Sequence, residues 1–295
     1  MGILDQIKQT FRQGSNLIRL IYINVAVFLF LKVLEVLAFL FGFSGITDAL
    51  LPWLAVPADL PQLITRPWTL FTYMFLHTGF FHILFNLLWL YVFGRIFLMY
   101  LNEKRLLSVY LVGGLSGAAL YILAFNIFPA FQDAVPMSVA LGASASVMAI
   151  VIAISVYIPN FTINLLLIGP VKLKYIAIFT IVLDILSIPS SNSGGHIAHL
   201  GGALFGYLYI AQHRRGRNIT RSFDRVMDRL FSMFKPRPKF RVTHKRPMSD
   251  VEYNKWKAER QERIDEILEK IAKNGYESLS REEKEILFRQ GGGKN

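Results

Sequence analysis

The sequence contains no cysteine. That excludes disulfide staples, thiolate metal sites, iron–sulfur clusters and a cysteine nucleophile, whichever compartment the loops face. Charge is scarce over most of the chain: residues 1–210 hold 10 Lys/Arg and 7 Asp/Glu, whereas residues 211–295 hold 22 and 13. Few ionic groups over so long a stretch exclude a soluble chain that must keep its surface wetted. What is present agrees, since 53% of the 295 residues are hydrophobic and 24 are Phe. The sequence describes an integral membrane body followed by a basic tail.

A bilayer crossing takes about 20 mostly apolar residues. Six segments read as spans, at residues 20–42, 80–98, 106–126, 143–158, 173–189 and 195–211. Ahead of them, Ile3, Leu4, Ile7 and Phe11 form an apolar stripe broken by Asp5, Lys8 and Arg12, so residues 1–15 read as an amphipathic interfacial segment and not as a cleavable signal. Basic loop residues stay on the cytoplasmic side. With the N-terminus inside, 30 of the 32 Lys/Arg fall on inner segments, leaving Arg66 outside and Lys32 within a span. Both termini are therefore expected in the cytoplasm. The first outer segment carries Pro52, Trp53, Pro57, Pro61, Pro67 and Trp68, a composition suited to the headgroup layer.

Four stretches follow: the segment 1–15, a six-helix membrane domain at 16–212, a basic amphipathic helix and linker at 213–248, and a helical hairpin with tail at 249–295. In the third, Ile219, Phe223, Val226, Met227, Leu230, Phe231 and Phe234 recur at helical spacing between Arg221, Arg225 and Arg229. Such a helix suits an anionic inner leaflet. Nucleic acid would also meet this charge, but retention of cations on the inner side accounts for it, and no nucleic-acid partner is expected. In the fourth, Ser249 with Glu252 and Ser280 with Glu283 have capping-box spacing, and Asn274-Gly275 stops the first helix.

Polar groups inside a membrane domain are functional candidates because each costs free energy in hydrocarbon. They are Lys32, Glu35, His77, His82, Asn86, Ser144, Asp184, His196 and His199. Lys32 and Glu35, three residues apart, can neutralise each other as a structural pair. Ser144 lies in Gly142-Ala143-Ser144-Ala145-Ser146, where a glycine loop turns into a helix whose first N–H groups are free to bind an oxyanion. A plain helix cap, or a small residue for close packing, is the competing reading. Ala145, Ala149 and Ala153 on the fourth span, and Ala198, Gly202 and Gly206 on the sixth, form small-residue stripes that let two helices approach closely. These stripes bring Ser144 and His199 to similar depth near the outer face, and a serine beside an imidazole is what acyl transfer requires. His82 and Asn86, at i and i+4, share a face near the same end. They read as oxyanion donors together with the Ser144 N–H, or as interhelical hydrogen bonds.

Taken together, His82-Ile83-Leu84-Phe85-Asn86, Gly142-Ala143-Ser144 and Ala198-His199-Leu200-Gly201-Gly202 with Gly206 resemble the rhomboid family of intramembrane serine proteases over roughly residues 15–212. The resemblance implies an all-α, six-helix membrane bundle with a water-filled cavity open to the outer face. Within it Ser144 would be the nucleophile, His199 the general base and acid, and His82, Asn86 and the Ser144 backbone the oxyanion hole. Transmembrane segments of other proteins would be the substrates, cut near their outer ends beside small residues. Two positions depart from the family pattern, Ala145 after the nucleophile in place of glycine and Met148 in place of the aromatic that carries the histidine ring. The Trp-Arg pair of the first outer loop has its types reversed in Arg66-Pro67-Trp68, and Leu98 stands where an acidic residue is frequent. The glycine register after the histidine fits His199 and not His196. Asp184 offers itself as the third member of a triad, but its place near the outer end of the fifth span and the dyad that the resemblance implies favour a gating or interfacial role.

Two other classes remain open. One is a binding-only relative that recognises or escorts membrane proteins, which Ala145 and Met148 would suit. The other is a metal or proton pathway through His77, His82, His196 and His199. No carboxylate from another span evidently completes a ligand set, so neither metal nor cofactor is expected. Composition and resemblance together point to a bacterial cytoplasmic membrane.

Overall fold

A computed structural model describes residues 2–43, 45–165, 168–234 and 249–291 and divides the chain into two compact units, 1–235 and 236–295. In the first unit, α1 (Ile3–Gln13) leads into α2 (Asn16–Leu40), whose N-terminus is capped by the Ser15 hydroxyl accepting from the Ile18 N–H. The segment after α2 is largely helical: α3 (Ile46–Leu54), β1 (Val56–Pro57), α4 (Leu60–Thr65), α5 (Thr69–Thr72) and a 3-10 turn at Tyr73–Phe75. Next come α6 (Phe80–Tyr100), α7 (Glu103–Ile127), a 3-10 turn at Pro129–Ala134, β2 (Val139–Ala140) and α8 (Ser144–Tyr157). A hairpin of β3 (Thr162–Leu165) and β4 (Gly169–Lys172), which the span reading did not anticipate, leads to α9 (Leu173–Leu186), α10 (Ser193–Arg214) and α11 (Arg221–Phe234).

The protein is thus a helical membrane bundle. Helices occupy all six apolar segments, and three of them, α2, α6 and α7, are long and apolar enough to cross a bilayer by length and composition. Helices α8 and α9 have 14 residues each, about 21 Å at 1.5 Å per residue. That is shorter than a bilayer core of about 30 Å. Lys32 Nζ and Glu35 Oε2 pair at 2.7 Å, as their spacing predicts.

Helix α8 is the centre of the bundle, with Ala145, Ala149, Ile150, Val151, Ala153 and Ile154 all buried. It packs between α7 and α10 because small residues line every seam. A Cβ on Gly202 would stand 2.0 Å from the Ala145 carbonyl oxygen, one on Gly206 2.3 Å from that of Ala149, and one on Gly113 2.3 Å from the Ala149 methyl. Such contacts are closer than any side chain tolerates, so these helices meet backbone to backbone. Polar ties then hang the segment between α2 and α6 on this core. Tyr110 donates from its hydroxyl to the Met74 carbonyl at 3.0 Å, and Asn126 Nδ2 donates to the Ala58 carbonyl at 2.8 Å. Arg66 lies 4.3 Å over the Trp53 ring, which stacks on Trp68 at 6.5 Å. The arginine–tryptophan contact missing from the linear order of Arg66-Pro67-Trp68 is supplied across the loop by Trp53.

Helix α11 leans on the start of α7: Ser108 Oγ donates to Asp224 Oδ1 at 2.6 Å, and Phe223 and Met227 pack on the core. Val226 and Leu230 are left exposed.

In the second unit, α12 (Asp250–Asn274) and α13 (Arg281–Gly291) join through a 3-10 turn at Tyr276–Ser278, with Ile264, Ile267 and Leu279 buried. The capping box at Ser249 and Glu252 is complete, and Glu283 accepts from the Ser280 N–H at 2.6 Å. Those backbone donors hold both carboxyls below the usual carboxylate range, foremost through Ser249 and Ser280. A lowered native pKa stabilises above the unfolded carboxylate pKa and is lost as pH falls through the native one. Protection of the first-turn amides of α12 and α13, taken relative to their intrinsic exchange rates, is therefore expected to fall below about pH 4, the carboxylate range, and to stay unchanged across neutral pH.

Candidate active site

The approach to Ser144 is a loop held from three sides. Val56 pairs with Ala140 and Pro57 with Val139 in an antiparallel ladder. The Ala58 N–H donates to Ser138 at 3.0 Å and the Gly142 N–H to Tyr73 at 2.9 Å. Gly142 then turns at φ +122°, where only glycine is unstrained. A Cβ there would meet His82 Nε2 at 2.8 Å and Ser144 Oγ at 3.6 Å. One methyl group would therefore wedge between the two side chains, and Gly142→Ala is expected to lower cleavage of a membrane reporter by about 100-fold, the cost of a small misplacement at a reacting centre.

Helix α8 begins at Ser144 itself, with Ala143 at the cap position and no side-chain cap bond. The capping explanation for Ser144 therefore fails: its hydroxyl is not spent on the helix. The Val147 N–H donates to the Ala143 carbonyl at 2.9 Å, leaving the N–H groups of Ser144, Ala145 and Ser146 without intrahelical acceptors.

Ser144 and His199 line one cavity of about 220 Å³, shared with Asn86, Met148, Phe85 and Thr180. Among the described residues no direct hydrogen bond joins the two. His196 does not line this cavity, so of His196 and His199 only the latter meets the serine's surroundings. Met148 lines the same cavity as His199. Asn86 is buried and lines the cavity, but its Nδ2 also donates to the His82 carbonyl at 2.8 Å. His82 adjoins Gly142, and its ring lies 4.9 Å from that of His77. His77 Nε2 in turn accepts from the Ala143 N–H at 3.5 Å. The sequence reading counted His77 among the polar candidates and in a metal or proton pathway but not beside Ser144, because the contact depends on the segment before α6 folding back over α8.

Asp184 is the larger surprise. It is 5% exposed on α9, and its Oδ1 accepts from Nδ1 of His196 at 2.8 Å and from Nδ1 of His199 at 2.9 Å. A carboxylate oxygen only accepts, so each imidazole carries its proton on Nδ1 and leaves Nε2 as a base. One ligand atom from each of Asp184, His196 and His199 lies within 4.8 Å of the others. The sequence reading found no carboxylate from another span to complete a ligand set. Packing of α9 on α10 supplies one, because the short α9 sets Asp184 opposite the first turns of α10.

Comparison with known proteins places the chain in a family. A model of the rhomboid domain matches residues 65–215, just over half of the chain, and a family of unknown function, DUF6576, matches residues 249–289. RHOMBOID-like protein 12, mitochondrial, of Arabidopsis thaliana is 34% identical over 158 residues, which are 50% of this chain. The match spans about half of that relative too, 47% of its length. With its small-residue seams, its helix-initial serine and a histidine on the same cavity, the chain belongs to the rhomboid family.

Proposed function

We propose that this protein is an intramembrane serine endopeptidase that cuts transmembrane segments of other membrane proteins near their outer ends. The observation that carries the reading is the cavity shared by Ser144 and His199. In the first step Ser144 Oγ attacks the scissile carbonyl carbon while His199 Nε2 takes the hydroxyl proton. The carbonyl oxygen, now an anion, meets the free N–H groups of the first turn of α8 and the side-chain donors of His82 and Asn86. Collapse breaks the C–N bond, and His199 returns the proton to the leaving amine. Water, deprotonated by the same Nε2, then releases the acyl group and restores the serine.

The accompanying topology is six crossings with both termini in the cytoplasm of a bacterial cell, supported by the 30 inner Lys/Arg. Exposed Val226 and Leu230 beside Arg225 and Arg229 support a contact of α11 with an anionic inner leaflet. No nucleic acid takes part.

Labelling by a fluorophosphonate tests the nucleophile directly. Wild type is expected to be labelled at Ser144, and His199→Ala to be labelled far more slowly. An unlabelled wild type that also leaves every transmembrane reporter intact would favour the second reading, a rhomboid-like protein that binds membrane proteins without cutting them. The absent Ser144–His199 hydrogen bond and Met148 in the aromatic position favour that reading.

A further inference from the structure

The two carboxylate oxygens of Asp184 have different surroundings. Oδ1 serves two imidazoles, whereas Oδ2 is buried with no hydrogen-bond partner among the described residues. An unpaired charged acceptor in a membrane domain is costly and asks for a cation. The histidines stand three residues apart on α10, with side chains 22% and 19% exposed, so the cluster is open to small solutes. Two imidazole nitrogens and a carboxylate oxygen are a donor set that suits Zn²⁺, with the remaining coordination position left to water. Bonds of about 2.0 Å place tetrahedral ligands roughly 3.3 Å apart. The present 2.8 and 2.9 Å contacts would open by a few tenths of an ångström.

We propose that Asp184, His196 and His199 form a Zn²⁺ site whose occupancy switches the protease off. The inhibitory sense rests on the Ser144–His199 reading above. Without metal, Asp184 holds the His199 proton on Nδ1 and Nε2 offers a lone pair to the serine. Zinc takes the Nδ1 lone pair instead, so the single proton of the neutral imidazole resides on Nε2. That nitrogen then donates and cannot accept, and the Ser144 proton has no destination. Asp184 stays a carboxylate and the number of protons on the two imidazoles is unchanged, so removing the metal restores the base. His196 contributes only to the metal, because it does not line the Ser144 cavity.

The test uses the full chain in detergent with buffered free Zn²⁺. The Ser144→Ala protein is expected to bind one zinc per chain, and adding His196→Asn is expected to weaken that binding about tenfold or more. Asparagine keeps a donor for Asp184, which protects the fold. Zinc at concentrations that saturate Ser144→Ala should cut wild-type cleavage about tenfold, reversibly with EDTA, whereas His196→Asn should cleave and resist zinc. Absence of zinc binding by Ser144→Ala, or equal zinc sensitivity of wild type and His196→Asn, overturns the site. Undiminished cleavage by Ser144→Ala would instead overturn the serine reading, and the zinc-binding measurement would still decide the site by itself.

Discussion

Cleavage of a transmembrane reporter by the Ser144→Ala protein is expected to fall by about 10⁴-fold or more against wild type, and His199→Ala by a similar factor, because the two groups act as one unit. The physical reason is the division of labour in the cavity. The serine hydroxyl is a weak nucleophile until Nε2 removes its proton, and the imidazole has nothing to activate once the hydroxyl is gone. The double variant is therefore expected to be no worse than either single one, whereas independent contributions would multiply. His196→Asn, one turn away on α10, provides the control, since its side chain lies outside the Ser144 cavity. Measured at substrate concentrations well below KM, the ratio reports transition-state stabilisation directly. Processing by Ser144→Ala at the wild-type rate would remove the serine mechanism altogether.

The second large effect concerns the seams. Gly202→Val is expected to prevent assembly of the bundle, because even the first added carbon would lie 2.0 Å from the Ala145 carbonyl oxygen and 3.2 Å from its Cα. That obstacle is backbone at the first turn of α8, so relief requires the helices to separate. Overpacking a well-packed core costs about 1–3 kcal/mol, and a collision with backbone belongs at or beyond the upper end of that range. Displacing α10 also carries His199 away from Ser144. The variant should thus lose both monodisperse recovery after detergent extraction and reporter cleavage. Leu204→Val, at a half-exposed position two residues on, is expected to leave both intact. A Gly202→Val protein that extracts and cuts like wild type would refute the close seam.

Much of this arrangement is legible in one dimension because it follows from spacing within a helix. Period-four small residues on two segments mark surfaces that meet, whichever loops connect them. The helix-initial serine follows equally from local chemistry, glycine turning at positive φ before an apolar run. What spacing does not show is which residues Asp184 meets. On its own helix it is one acid among Leu and Ile, and its meaning depends on which residues of α10 it faces. His77 is hidden for the same reason: it belongs to a loop in sequence and to the α8 entrance in space. Arg66 and Trp53 are 13 positions apart, and no linear pattern links them.

By itself the sequence determined that this is a cysteine-free helical membrane protein with a basic end, because the hydrophobic effect acts on composition and positive charge on topology. It also offered Ser144 and His199 as a pair, because small residues at helical spacing place both beside one expected seam. Only the tertiary structure decided that His196 and His199 share one carboxylate, that one oxygen of that carboxylate has no partner among the described residues, and that a loop histidine stands at the α8 entrance. Those are contacts between separate elements, where distances are set by packing density and by which buried polar groups must find partners.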